Sequence, residues 1–244
     1  MKHWRSAYAV PLLLAALLVA LSLGLPALEP LFHAVFPQQE RPMYQQAPFW
    51  SLLWAHVQMV LVSSTAAFAV AFAAGTWVTR ARGLAFRPAL ESLVSMGQTF
   101  PPIAVLALAV PLMGFGEKPV LLALALYGLL PMLQGVLAGF ALTPAATLDA
   151  ARGLGLNARQ IFWQVELPLA APIILAGVRS SVTINIGTAA IASTVGAQNL
   201  GAPIIIGLSG FNTAYVLQGA VLTGLLAITV DSFFERLGRQ LQRG

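Results

Sequence analysis

The sequence contains no cysteine, and only 9% of its 244 residues are charged. The absence of cysteine excludes disulfide bridges, a thiolate nucleophile and cysteine-ligated metal sites. The scarcity of charge excludes an ordinary soluble domain, in which about a quarter of the residues are charged. Instead, 58% of the residues are hydrophobic and the mean hydropathy is +0.81. The composition therefore predicts a membrane protein.

The hydrophobic residues form six stretches long enough to cross a bilayer, which takes about 20 helical residues each. The predicted spans are about Ala7–Leu25, Leu52–Val78, Leu90–Met113, Val120–Leu142, Pro172–Val195 and Thr213–Phe233. The first span follows a basic terminus, as in a secretory signal, but it is longer than a signal core and further spans follow. We therefore expect a retained helix and an all-α, polytopic membrane protein.

Lysine and arginine are distributed unequally between the two sides of the predicted bundle. With the N-terminus inside, ten of them fall on the cytoplasmic side and only Arg41 and Lys118 fall outside. Because cytoplasmic loops carry the excess of basic residues, both termini are predicted to be cytoplasmic. Basic residues at helix flanks also argue against a nucleic-acid partner. Arg179 fits two interpretations, a snorkelling interfacial arginine or one that faces the protein interior.

The longest predicted cytoplasmic segment, Thr143–Ala171, joins the fourth and fifth spans. Ala145–Gln164 is predicted to form a helix interrupted by two glycines, and Leu167-Pro168 is predicted to end it. Small residues in this helix, Ala150, Ala151 and Gly155, would allow a partner to approach closely. Physical reasoning alone favours two interpretations equally: a helix that contacts a partner, and an interfacial helix that Trp163 and arginines hold at the membrane.

The same segment resembles a known motif. Asp149-Ala150-Ala151, Gly155, Val165 and Leu167-Pro168 have the spacing of the EAA loop of binding-protein-dependent ABC importer permeases. Asp149 stands where the pattern has glutamate, and Val165 stands where it has isoleucine. The chain thus resembles a type I ABC permease, and the resemblance implies that this loop seats in a cleft of a separate ATPase subunit.

The resemblance also implies the surrounding assembly and the division of the chain. Residues 1–51 would hold the first span and an extracytoplasmic loop, 52–236 the ABC transmembrane type-1 domain, and 237–244 a cytoplasmic tail. The chain would lie in the cell inner membrane and pair with a second permease copy or paralogue. A cytoplasmic ABC ATPase dimer would bind ATP and magnesium, and a solute-binding protein outside would deliver the solute. No cofactor or metal is expected in this chain.

Further motifs resemble the osmoprotectant branch of these permeases, which imports glycine betaine, carnitine or choline. They are Gly97–Pro102, Gly114–Gly116, Tyr127–Pro131 and Asn185–Ala189, and Pro203–Tyr215 resembles the smaller permease of Yeh-type glycine betaine uptake systems. An amino acid or methionine remains an alternative solute. One departure lies in Gly196–Gly201, where Gln198-Asn199 replaces the Gly-Gly of many relatives.

Two other classes of protein fit the residues less well. An ion-coupled secondary transporter usually keeps ionisable residues near mid-membrane, whereas Glu91, Asp231 and Glu235 lie near predicted span ends. An intramembrane enzyme would need a set of catalytic side chains that the spans lack, and no phosphate-binding loop is present. Within the fifth span, Asn185 and Thr188 are candidates for lining a translocation path.

Overall fold

The computed structural model describes residues 8–242, and this part of the chain is helical, without strands. Its α-helices are α1 Ala9–Gly24, α2 Glu29–Val35, α3 Phe49–Val78, α4 Arg87–Thr99, α5 Pro102–Met113, α6 Glu117–Ala141, α7 Ala145–Gly153, α8 Ala158–Ile161, α9 Leu167–Ala189, α10 Gly201–Ser209 and α11 Thr213–Leu241. Lys2, Arg5, Arg243 and the start of the first predicted span lie outside the described residues.

Five helical stretches of the described chain are long and apolar enough to cross a membrane, and a sixth is obtained if one broken pair counts as a single span. The five are Ala9–Val35, Phe49–Val78, Glu117–Ala141, Ala158–Val195 and Thr213–Leu241. The broken pair is Leu84–Thr99 with Pro102–Met113. The count of six spans thus depends on this pair.

The expectation of one helix over Leu90–Met113 is wrong, because the chain breaks between α4 and α5. Phe100 and Pro101 are both extended, with ψ angles of 134° and 139°. A residue that precedes proline is pushed out of the helical region, and Phe100-Pro101-Pro102 contains two such residues in succession. Pro102 then begins α5, where its missing N–H costs no hydrogen bond.

Two predicted helix ends also differ from the structure. The first span continues past Leu25 through a 3-10 turn and α2 to Val35, so the expected loop after it is shorter. α11 continues to Leu241, well into the segment expected to be a tail. An ion pair between Glu235 and Arg239, one turn apart, supports this extension.

Leu167-Pro168 does not end a helix, contrary to expectation. A π-helical turn, Phe162–Glu166, leads directly into α9, and Pro168 is the second residue of that helix. A proline ring clashes with the carbonyl group one turn earlier in a regular α-helix. Because a π turn is wider than an α turn, the turn before Pro168 relieves this clash.

The chain divides into two compact units. One contains residues 64–100, 125–182 and 234–242, and its core is formed by α3, α4, α6 and α9. Gly135 and Gly139, four residues apart on α6, lie in this unit, where a Cβ on Gly135 would be 3.0 Å from the Cα atom of Gly177. A Cβ on Gly139 would be 3.0 Å from the carbonyl oxygen of Ala170. The glycines of α6 therefore allow α9 to pack closely, as small residues do between membrane helices.

The other unit contains residues 8–63, 101–124 and 183–233. Its buried polar side chains connect segments that are distant in sequence. Gln218 of α11 donates to the carbonyl of Pro42 over 2.6 Å and accepts from the amide of Tyr44 over 3.1 Å. The segment before α3, expected to be an extracytoplasmic loop, is thus fixed to α11, and Met43 and Tyr44 are buried. Burial, and secondarily the neighbouring Tyr215, raise the pKa of the Tyr44 phenol.

Candidate coupling site

The first helix of the EAA-like segment, α7, presents an exposed surface. It begins after Pro144, whose carbonyl accepts hydrogen bonds from the first turn. Asp149 and Ala150 are exposed, and Asp149 forms a 2.7 Å ion pair with Arg152. Both partners of this pair are well exposed, so it contributes little stability. Ala151 is buried, so it does not belong to the surface that a partner could approach, in contrast to the expectation.

Gly155 ends α7 in a Schellman motif. The amide of Gly155 donates to the carbonyl of Arg152 over 2.9 Å, and the amide of Leu156 donates to the carbonyl of Ala151 over 3.2 Å. The residue that follows the helix cap in this motif is left-handed, and Gly155 has φ of +81°. The spacing from Ala151 to Gly155 in the EAA pattern is therefore the spacing of a helix end.

Asn157 begins the next short helix, α8. Its side chain accepts from the amide of Gln160 over 3.0 Å, and the Gln160 side chain accepts from the amide of Asn157 over 2.9 Å. This reciprocal pair is a capping box. With the Schellman motif before it, the box fixes the backbone between α7 and α8. Leu154, between the two helices, is 82% exposed.

The C-terminal part of the motif is anchored in the protein. Leu167 packs against a buried cluster formed by Val136, Phe140, Ala170 and Ile174. Val165 is half-buried, and Pro168 is exposed. The seven matched positions thus serve different purposes: Asp149 and Ala150 are exposed on α7, whereas Leu167 attaches the segment to the core.

Arg80, which follows α3, contacts the end of the same segment. Its Nη1 atom lies 2.8 Å from one carboxylate oxygen of Glu166 and 2.9 Å from the other. The guanidinium carbon lies 5.4 Å from the ring centroid of Phe140 and 5.2 Å from that of Phe162, within cation–π range. We call these four residues the Arg80 clamp. Sequence reasoning used Arg80 only as a topology signal and did not identify this contact.

The two path candidates occupy different environments. Asn185 is fully buried. Thr188 is half-buried and donates to the carbonyl of Ile184 in its own helix over 2.9 Å. Arg179 is half-buried in α9 and lines a cavity of about 170 Å³ together with Glu235 and Arg239. The lining of a translocation path by Asn185 and Thr188 stays a prediction.

Asn199 explains the departure noted in Gly196–Gly201. Its side chain is fully buried and donates to the carbonyl of Ala189 over 2.7 Å. Its Oδ1 atom accepts from the amide of Gly201 over 2.7 Å and from Ser193 over 3.2 Å. Asn199 is thus a structural residue that holds the turn before α10.

Among the described residues, no group of histidine and acidic side chains is placed to hold a metal ion.

Comparison with known proteins identifies the family. The profile of the binding-protein-dependent transport system inner membrane component matches residues 67–243, which include α7 and the complete EAA-like segment. The chain belongs to this family. It is therefore a permease component of an ABC transporter in the inner membrane, in a family whose ATPase activity resides in a separate subunit.

Curated relatives match most of the permease. The osmoprotectant import permease protein OsmY of Salmonella typhimurium is 36% identical over 76% of this chain and 79% of its own length. The choline transport system permease protein OpuBB of Bacillus subtilis is 35% identical over 73% and 81%. The glycine betaine/carnitine/choline permease protein OpuCB of the same species is 36% identical over 72% and 80%.

Solved structures show the same fold. Two structures of the inward-facing MetNI methionine ABC transporter match with TM-scores of 0.68 and 0.69. The matches cover 77% and 81% of the permease and 93% and 99% of the compared chains, at 21% and 22% identity. The permease therefore has the type I ABC permease fold that the sequence predicted.

Proposed function

We propose that the permease imports an osmoprotectant and that Asp149–Pro168, which we call the coupling loop, transmits the movement of an ATPase subunit into the spans. One observation carries the coupling role. α7 exposes Asp149 and Ala150, and Leu154 directly after it is exposed too, while the ends of the helix are fixed by a proline start and a Schellman motif. A rigid helix with an exposed surface loses little conformational freedom on docking, which favours its use as a contact.

The proposed solute is a small quaternary ammonium compound such as glycine betaine. The names of the relatives support it, since they describe osmoprotectant, choline and glycine betaine/carnitine/choline permeases. Methionine and other amino acids are the alternative solutes. The solved structures share only the fold, so the methionine specificity of that transporter does not weigh against an osmoprotectant.

The proposed assembly has four kinds of component. Two ABC ATPase subunits bind ATP and magnesium, and a second permease completes the translocation path, to which Asn185 and Thr188 contribute. The resemblance of Pro203–Tyr215 to the Yeh-type smaller permease favours a paralogue as that second permease. A solute-binding protein delivers the solute on the side opposite α7, and the distribution of basic residues supports a cytoplasmic α7.

Cysteine cross-linking tests the docking of α7, because the wild-type chain has no cysteine. We expect Ala150→Cys in the assembled transporter to cross-link to a cysteine in the cleft of the ATPase subunit. Gln45→Cys is the control, since Gln45 is also exposed but lies in the segment predicted to be extracytoplasmic. A complex that imports solute but gives no cross-link from Ala150→Cys contradicts the proposal.

A further inference from the structure

The Arg80 clamp connects the C-terminal part of the coupling loop to the end of α3. Arg80 lies two residues after the last residue of α3, and Glu166 is the last residue of the π turn that precedes α9. Phe162, the first residue of that turn, also contacts the guanidinium group. One arginine therefore engages both ends of the π turn, through an ion pair at one end and an aromatic ring at the other.

The buried position of Glu166 requires the ion pair with Arg80. The Glu166 side chain is only 12% exposed, and a carboxylate removed from water requires a partner. Arg80 is 39% exposed and supplies the positive charge. The flat guanidinium group packs against the rings of Phe140 and Phe162, an arrangement that a lysine cannot reproduce because its ammonium group is compact and strongly hydrated.

The π turn indicates that the position of Glu166 is constrained. π-helical turns are rare, and they occur frequently at functional sites. Here the turn lies between the short helix α8 and the proline-containing start of α9. A cavity of about 220 Å³ beside it is lined by Arg80, Glu166 and Leu148, the last of which belongs to α7. A shift of α7 therefore changes the space around the clamp directly.

We infer that Arg80 is a positioning residue for transport: it fixes the π turn to the end of α3, so that a displacement of the coupling loop moves α3. The inference rests on the proposed coupling role of the loop. Without the clamp, the loop still docks on the ATPase subunit and ATP is still hydrolysed, but less of the movement reaches the spans. The expected defect is uncoupling, in which fewer solute molecules are imported for each ATP hydrolysed.

The same unit provides a matched control for the loss of an arginine. Arg87 pairs with Glu91 over 2.9 Å, and its side chain is 37% exposed, close to the value for Arg80. Both partners of the control pair belong to α4, one helical turn apart. Arg87 lines the same cavity as the clamp, and its partner Glu91 is 44% exposed. Loss of Arg87 therefore removes an arginine charge from the same region without disconnecting the coupling loop from α3.

The experiment compares Arg80→Gln, Arg87→Gln and wild-type transporters reconstituted with their ATPase and solute-binding protein. Solute uptake and ATP hydrolysis are measured in the same vesicles. We expect Arg80→Gln to lower the ratio of solute imported to ATP hydrolysed about tenfold. Arg87→Gln should keep the wild-type ratio. Arg80→Lys should give an intermediate ratio, because it keeps the charge and loses the stacking.

A purely structural role of Arg80 would lower the amount of assembled complex without changing this ratio. The inference is overturned if Arg80→Gln keeps the wild-type ratio in the complexes that do assemble, or if Arg87→Gln lowers it equally. Cross-linking of Ala150→Cys in the Arg80→Gln background separates the two proposals. A retained cross-link with a low ratio supports the clamp, whereas a cross-link missing from the otherwise wild-type complex contradicts the coupling role itself.

Discussion

At the scale of single residues, glycines in this permease meet two different requirements. Gly155 is required for its backbone conformation: its φ is +81°, and a Cβ there would meet no atom within 4 Å. Gly201 is required for space, because a Cβ there would overlap the carbonyl oxygen of Ala190. The sequence suggested that Gly155 stays small for the sake of a partner, and the structure gives a reason within the chain itself.

Substitution of Gly155 distinguishes backbone strain from crowding by a partner. Gly155→Ala is expected to destabilise the permease by about 1 kcal/mol, because L-residues other than asparagine and aspartate rarely adopt this conformation. Gly155→Asn is larger but tolerates it, so the asparagine variant should melt closer to wild type than the alanine variant. Thermal unfolding of the purified permease measures both. An alanine variant that melts like wild type would refute the backbone explanation.

The residue scale also shows what the sequence could not provide. The spacing of Asp149, Gly155 and Leu167 predicted the coupling loop through its resemblance to the EAA motif, and the hydrogen bonds that shape the loop join residues close together in sequence. Arg80 and Glu166 are 86 positions apart, and counting basic residues by side treats every flanking arginine alike. The buried contacts of Asn199 were equally hidden, since a departure from a glycine-rich pattern does not reveal its hydrogen-bond partners.

At the scale of helices, α6 and α9 pack through glycine. Gly135 and Gly139 have the four-residue spacing typical of close helix packing in membranes, but the spacing within one helix does not determine which other helix it meets. In the structure the partner is α9, where a Cβ on Gly177 would lie 2.6 Å from the carbonyl oxygen of Pro131. Backbone atoms of α6 occupy that position, so an added methyl group would force the two helices apart.

Two glycines of α9 make a matched comparison. Gly177→Ala should destabilise the permease by about 1–3 kcal/mol, the usual cost of overpacking. Gly187→Ala should leave stability unchanged or raise it by up to about 1 kcal/mol, because alanine is the better helix former. A Cβ on Gly187 would meet no atom within 4 Å. Melting temperatures in detergent measure both, and an equal loss in the two variants would contradict this packing.

Helix boundaries near prolines were the hardest feature of the helices to predict from the sequence. Phe100-Pro101-Pro102 breaks the third span, whereas Pro168 and Pro172 lie inside helical segments. The local preference of the residue before proline is the same in each case. The outcome depends on whether the surrounding chain can accommodate the ring, as the π turn does before Pro168, and that depends on tertiary packing.

At the scale of the whole molecule, hydropathy and charge distribution were sufficient to predict a polytopic α-helical protein. The family match confirms an inner-membrane ABC permease, and the structural match confirms the fold. The solute is the part that these residues determine least, because the proposal for it depends on the names of relatives. A test of the central claim must therefore measure the solute and the energy source together.

Uptake of radiolabelled glycine betaine into proteoliposomes provides that test. The vesicles contain the permease, its ATPase partner and its solute-binding protein, with matched vesicles that lack the permease or ATP. We predict that glycine betaine accumulates only when both ATP and this chain are present. Unlabelled choline or carnitine should reduce this accumulation, whereas unlabelled methionine should not. Accumulation that is driven by an ion gradient without ATP, or ATP-driven uptake of methionine with none of glycine betaine, would contradict the account.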